Sequence, residues 1–302
     1  MTLDANRSSE GFVAAPGGRV WYESAGDGPV ALLLLHGGPG APSDYLTPLM
    51  ALADDGYRVV RYDQLGSRRS DKPDDASLWQ APRFVAEVES VRRALGLGRM
   101  HLLGQSWGAF LALEYALHHG DALRSLTLAS GAASTAECLA GMRRWREALP
   151  EAMQAALARC EAAEDYAHSD YQAAMDELYQ RHLCRIWPFP DVMAESMANM
   201  ATPVYTTMWG PAEFTCTGNL LSWDRSHRLG EISVPTLITV GRYDEVDPAC
   251  AATLHRGIRG SRLEVFEESS HSAHLEEPER YLTVLRDFLA GVDAAEDQRW
   301  VG

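Results

Sequence analysis

A serine hydroxyl becomes a useful nucleophile only when its backbone presents it and a base takes its proton, which directs attention first to residues 102–108, L-L-G-Q-S-W-G. The segment is a G-x-S-x-G between an apolar run and an alanine-rich stretch. The bare pattern is common by composition, and a strand before it with a helix after it is what a nucleophile elbow requires. In that setting Gly104 and Gly108 permit the tight turn, and Ser106 is held in a strained backbone with its hydroxyl exposed. The plainer alternative is a serine in an ordinary strand-to-helix turn.

A base and an acid to fix its tautomer must follow. In the chain order of an elbow-bearing sheet both come after the serine, which leaves His271 and His274 as bases and Asp244, Glu245 and Asp247 as acids on one post-strand loop. His271 and Asp244 are preferred: Asp244 comes first after its strand, and His271 sits between the next strand and the last helix. His274 and Asp247 stay as alternatives. Charge developing on a tetrahedral oxygen needs preorganised N–H donors. H-G-G-P-G, residues 36–40, directly follows an apolar strand, so the amides of Gly38 or Gly37, with that of Trp107, are the candidate oxyanion donors.

These groups need a scaffold. Residues 20–24, 30–35, 58–62, 100–103, 126–129, 236–240 and 262–265 read as strands, and 81–95 and 107–118 as helices between them. Continuous apolar runs such as Val30–Leu35 are those of strands buried on both faces, so the expected fold is a doubly wound, mostly parallel α/β sheet. The rhythm breaks at residues 132–230, where 142–163 and 171–184 read as helices and strands disappear. That insert is expected to cap the carboxyl edge of a core formed by 1–131 and 231–302, the edge where open α/β sheets bind ligands. A final helix is expected at 278–290, with the last dozen residues frayed.

Composition narrows the partners. With 302 residues, 46% apolar, one core with an insert is expected, and a formal charge of −15 argues against nucleic acid and anionic membrane surfaces. Five scattered cysteines without a C-x-x-C pair read as buried thiols, not a zinc site or disulfide framework. Neither a basic start followed by an apolar stretch nor a membrane-length run is present, so a cytoplasmic enzyme is expected. No metal or organic cofactor is implied, and nothing in the pattern specifies an oligomer.

Taken together and in order, H-G-G-P-G, Y-D-Q-L-G-S (62–67), G-Q-S-W-G and M-W-G-P-A-E-F (208–214) resemble the proline iminopeptidase family over almost the whole chain. The resemblance implies an α/β-hydrolase core, a helical cap and amino-terminal exopeptidase activity on a small peptide or aminoacyl amide. It puts Glu213 and Glu245 where relatives bind the substrate's ammonium, with Tyr205 lining the same pocket. Arg68, Ala109 and Ser270 depart from the pattern at positions where glycine is usual, which bears on specificity and not on the reactive groups. A variant with the same chemistry would remove an aminoacyl protecting group from a biosynthetic intermediate, such as that of a macrolactam polyketide. An ester or carbon-carbon hydrolase, and a non-enzymatic ligand receptor, are the remaining readings.

Overall fold

Apolar runs that cannot face water on either side must stack edge to edge, and in the computed structural model, which describes residues 8–299, they form one eight-stranded sheet. The strands are β1 (Ser8–Ala15), β2 (Gly18–Ala25), β3 (Val30–Leu35), β4 (Tyr57–Tyr62), β5 (Met100–Gln105), β6 (Leu123–Ala129), β7 (Thr236–Gly241) and β8 (Arg262–Phe266). Their spatial order is β1-β2-β4-β3-β5-β6-β7-β8. β2 pairs antiparallel with β1 and β4, and all later pairs are parallel.

Side chains alternate across a strand, so a sheet buried on both sides needs two cores. Leu33 and Leu35 enter one, with residues of α1 (Ala81–Ala94) and α2 (Trp107–His119). Leu32 and Leu34 enter the other, beneath a 3-10 helix, Ser43–Asp55, and the last helix of the chain. α1 begins with proline in its first turn and ends with Arg92 and Arg93 in its last, where a missing amide costs nothing and cations meet the negative helix end.

Between β6 and β7 the chain runs through α3 (Thr135–Glu147), α4 (Glu151–Ala162), α5 (Ser169–Leu178), a π-helical turn at Tyr179–Leu183, α6 (Asp191–Ala198) and α7 (Thr202–Met208). The sheet then resumes with α8 (Pro248–Gly257), α9 (Ala273–Glu276) and α10 (Pro278–Arg299) around its last two strands.

Four differences from the sequence reading have local causes. The stretch 142–163 is two helices, because Pro150 has no N–H to donate and disfavours helix at the residue before it. The expected helix 171–184 starts earlier, at Ser169, and widens into the π turn after Leu178. The segment expected to fray is helical through Arg299, with Val292 buried against the core; residues 300–302 lie outside the described part. β1 was not foreseen: it is an edge strand paired on one side only, its sequence lacks a clean apolar alternation, and Phe12 stays exposed.

Candidate active site

Ser106 occupies the turn between β5 and α2 with φ 59° and ψ −126°, a conformation that costs free energy for any residue with a side chain. The turn is locked by close approaches. A Cβ on Gly104 would lie 1.9 Å from the carbonyl oxygen of Gly108, and one on Gly108 would lie 2.1 Å from that of Leu35. Both glycines of the motif are therefore required by backbone packing. Ser106 N–H donates to the carbonyl of Ala129 at 2.9 Å, tying the turn to the neighbouring strand.

The loops after β7 and β8 bring Asp244 and His271 together. Nδ1 of His271 lies 2.6 Å from Oδ1 of Asp244, which also accepts the amide of Val246 at 2.9 Å. Both side chains are buried. Burial by itself lowers the imidazole pKa, but the carboxylates of Asp244 and Glu245, then Glu213, outweigh it and raise it to about 9. His274 is elsewhere: its ring packs on Tyr45 and Tyr281, its Nε2 meets the carbonyl of Tyr45 at 3.2 Å, and burial pushes its pKa down to about 4. Asp247 caps α8 through the amide of Ala249 and pairs with Arg144.

Glu245, next to Asp244 in sequence, turns its carboxylate inward. One oxygen lies 3.5 Å from Nε2 of His271, and neither oxygen receives a hydrogen bond although the side chain is only 1% exposed. Glu213 comes from the segment after α7 and accepts from Tyr205 Oη at 2.6 Å, while the Trp209 indole N–H donates to its backbone carbonyl at 2.8 Å. Burial raises the pKa of Glu213 and pushes that of Glu245 well above the usual carboxylate range, with Glu213 as the next contributor for Glu245. Two buried carboxyls this close hold a proton readily and would release it to favour an arriving cation.

Near the expected oxyanion loop, Gly37 N–H donates to Tyr45 Oη at 2.7 Å, and that hydroxyl donates to Gln105 Oε1 at 2.6 Å. The Gly37 amide is thus occupied, which leaves Gly38 of the two glycines, beside Trp107 at the first position of α2, whose amide has no partner within its helix. Gly37 still has to be glycine, since a Cβ there would come within 2.9 Å of that of Ser106.

Several residues of the site were not singled out by sequence reasoning. Gln105 bridges Tyr45 and the carbonyl of His271. Gln64 receives the Trp107 indole N–H at 2.9 Å, donates its side-chain amide to the carbonyl of His36, and donates its backbone N–H to His36 Nε2. That last bond puts the His36 proton on Nδ1, aimed at the carbonyl of Gly37. In the π turn, the carbonyl of His182 accepts both the Glu245 and the His271 amides at 3.1 Å. Gln64, His36 and Gln105 stood inside quoted motifs, Gln105 only at a variable position of the G-x-S-x-G, whereas no local pattern marks His182.

The three departures have structural accounts. Arg68 pairs with Asp44 at 3.2 Å and with Glu195 of α6, so it ties α6 to the 3-10 helix Ser43–Asp55 and does not line the cavity at Ser106. Ala109 fits because Gly131 faces it, where a Cβ would be 2.6 Å away. Ser270 is fixed by two 2.8 Å bonds to Glu276.

One cavity of about 50 Å³ is lined by Ser106, Glu213, Glu245 and His271 together, and a second of about 20 Å³ adjoins it across Gly38, Ser106 and Glu213. Larger clefts of about 440 and 670 Å³ open on the surface and contain none of these four side chains. All five cysteines are buried and unpaired. Among the described residues no helix is long and apolar enough to cross a membrane.

The elbow, the paired imidazole and the parallel sheet define an α/β-hydrolase, and the family model for the alpha/beta hydrolase fold matches residues 30–278. The chain is 40% identical over 260 residues to a proline iminopeptidase of Saccharolobus solfataricus, covering 85% of this chain and 84% of that one. Among solved structures, a proline iminopeptidase of Mycobacterium smegmatis superposes with a TM-score of 0.89 at 36% identity, covering 95% of this chain and all of the other. The crystal structure of VinJ superposes with a TM-score of 0.91 at 38% identity, covering 95% and 99%. The chain belongs to the α/β-hydrolases and, within them, to the proline iminopeptidase family.

Proposed function

We propose that this protein is a serine aminopeptidase that releases a small amino-terminal residue, proline or alanine, from a peptide or aminoacyl amide. The observation that carries the reading is the convergence on one cavity of Ser106, His271 and two buried carboxyl groups, one of them without any donor. A buried carboxylate left without partners is unfavourable in the free protein, and an ammonium group supplies the missing charge and hydrogen bonds.

In this reading Glu213 and Glu245 hold the substrate's amino group and so fix its carbonyl beside Ser106. His271 takes the hydroxyl proton as the oxygen attacks, and Asp244 keeps the imidazole in the right tautomer. The amides of Gly38 and Trp107 stabilise the oxyanion, each worth on the order of a hundredfold to a thousandfold in rate. His271 then gives the proton to the leaving amine, and water, deprotonated by the same imidazole, releases the amino acid from the acyl-enzyme.

Residues 132–230 act as the cap that limits access to chain ends. The small adjoining cavity, about 20 Å³, supports a small side chain in the released residue. Five unpaired buried thiols support a reducing, cytoplasmic setting. The test is covalent: a fluorophosphonate should add to the peptide containing Ser106 and block hydrolysis of proline para-nitroanilide in proportion. Labelling at another residue, or hydrolysis that survives full labelling, would remove the proposal.

A further inference from the structure

The two spaces flanking Ser106 are built from different materials. Trp107, Phe110, Cys138 and Trp209 wall the smaller one. Leu183, Met193, Met197 and Met200 wall the larger, together with Tyr45. His271 borders only the larger space, and His271 is the group that must reach the departing nitrogen. Glu213 borders both spaces and Glu245 the larger, so the ammonium is held where the two meet, with the released side chain in the smaller space and the leaving group in the rest of the larger.

We propose that this methionine-walled chamber is a leaving-group subsite that takes apolar, uncharged amines and refuses a carboxylate next to the cut bond. The preferred substrates would be aminoacyl amides of hydrophobic amines and peptides whose second residue is apolar and continues as an amide. A free dipeptide acid would be a poor substrate. The inference rests on the aminopeptidase reading and names its substrate class.

Three features support it. Among the described residues that line the chamber there is no lysine or arginine; the charged groups facing it are Glu213, Glu245 and the His271 imidazole. A dipeptide's carboxylate would lie only two bonds beyond the scissile nitrogen, desolvated, with no lysine or arginine to receive it and two carboxyl groups close by. Arg68, which reaches α6, is already paired with Asp44 and Glu195.

The wall's backbone is anchored, since Tyr45 N–H donates to Ser196 Oγ at 3.2 Å and Ala201 N–H to the carbonyl of Gly40 at 2.9 Å. Its side chains are not so constrained. Met193 and Met197 stand four residues apart on one face of α6, and methionine is the apolar side chain that adapts most easily to a guest. Met200 also borders the outer cleft of about 670 Å³, so its movement would widen the chamber toward solvent.

The experiment compares kcat/KM of the intact protein on prolyl-leucine amide, prolyl-leucine free acid and proline para-nitroanilide. The amide should exceed the acid by roughly tenfold or more, the scale of one unpaired charge in a partly buried site. Met197→Lys should lower that ratio at least about fivefold by supplying a cation, while the uncharged Met197→Gln should leave it in place. Equal use of amide and acid by the unaltered protein would overturn the proposal, whether or not the lysine variant folds. A folded Met197→Lys with an unchanged ratio would overturn it as well. Failure on the anilide would instead strike the aminopeptidase reading beneath it.

Discussion

On the core side of the cavity, position is set by backbone. Ser106 is fixed by glycines that approach carbonyl oxygens more closely than any Cβ allows, and Asp244 and His271 sit on short loops at the ends of adjacent parallel strands. On the side built by the segment between β6 and β7, position is set by side chains: Glu213 is held by Tyr205 and Trp209, and α6 by Ser196 and by the Arg68 pair. The difference teaches that the glycines around Ser106 cannot be altered without loss of the turn itself, whereas the side chains facing it across the cavity can change residue by residue on the same frame.

That contrast can be broken first at its centre. Ser106→Ala should lower kcat by about a millionfold, the scale seen when a unit of this kind loses its nucleophile. Circular dichroism and melting temperature should stay close to those of the unaltered protein, because the Ser106 hydroxyl faces the cavity and holds no part of the frame. Gly104→Ala should instead cost the fold, since the new methyl would overlap the Gly108 carbonyl. Soluble yield and thermal unfolding check it.

Next comes the opposite side of the cavity. Glu213→Gln and Glu245→Gln should each lower kcat/KM on a free-amine anilide by about a hundredfold to a thousandfold, in line with roughly 3–5 kcal/mol for removing one partner of a buried ion pair. Tyr205→Phe removes the hydroxyl that orients Glu213 and should cost only about tenfold. The ratio of the two losses sharpens how much of the cap's contribution is charge and how much is orientation.

The pH profile links the halves. His271 acts as a base only when neutral, and its pKa in the free protein is raised to about 9. On that basis kcat/KM should rise with pH up to about that value and fall away below it. Glu245→Gln removes a carboxyl 3.5 Å from Nε2 that, when ionised, favours the imidazolium, so the alkaline-going limb should move to lower pH. A limb that moves upward would contradict the assignment of Glu245 as a group acting on His271.

The smallest effect is expected at the latch. Arg68→Gly releases α6 from an ion pair whose Glu195 side chain is half exposed, so stability should change by about 1 kcal/mol or less. Any kinetic effect should fall on KM for bulky leaving groups and spare kcat. Steady-state kinetics with small and bulky amides would show it.

Much of the core half was legible in the sequence because its requirements are local. Continuous apolar runs such as Val30–Leu35, a glycine pair around Ser106 and an acid and a histidine after successive strands each announce themselves within a few residues. The expected strand Val30–Leu35 appears with those ends. Glu213 and Tyr205 could be named only through resemblance, since their meeting depends on how α7 and the following segment fold back over the sheet. Gln105 stood in the G-x-S-x-G only at its variable position and His182 in no motif, and each acts through bonds to residues more than fifty positions away that spacing could not reveal. The Gly37 amide was legible as a donor but not as one already taken by Tyr45.

The most direct measurement pairs proline para-nitroanilide with its N-acetylated counterpart on the unaltered protein. Recognition of the ammonium by Glu213 and Glu245 predicts that the free amine is favoured in kcat/KM by at least about a thousandfold, and that both glutamine variants compress the ratio. Comparable turnover of free and acetylated substrates would contradict the account and leave an esterase-like catalyst in its place.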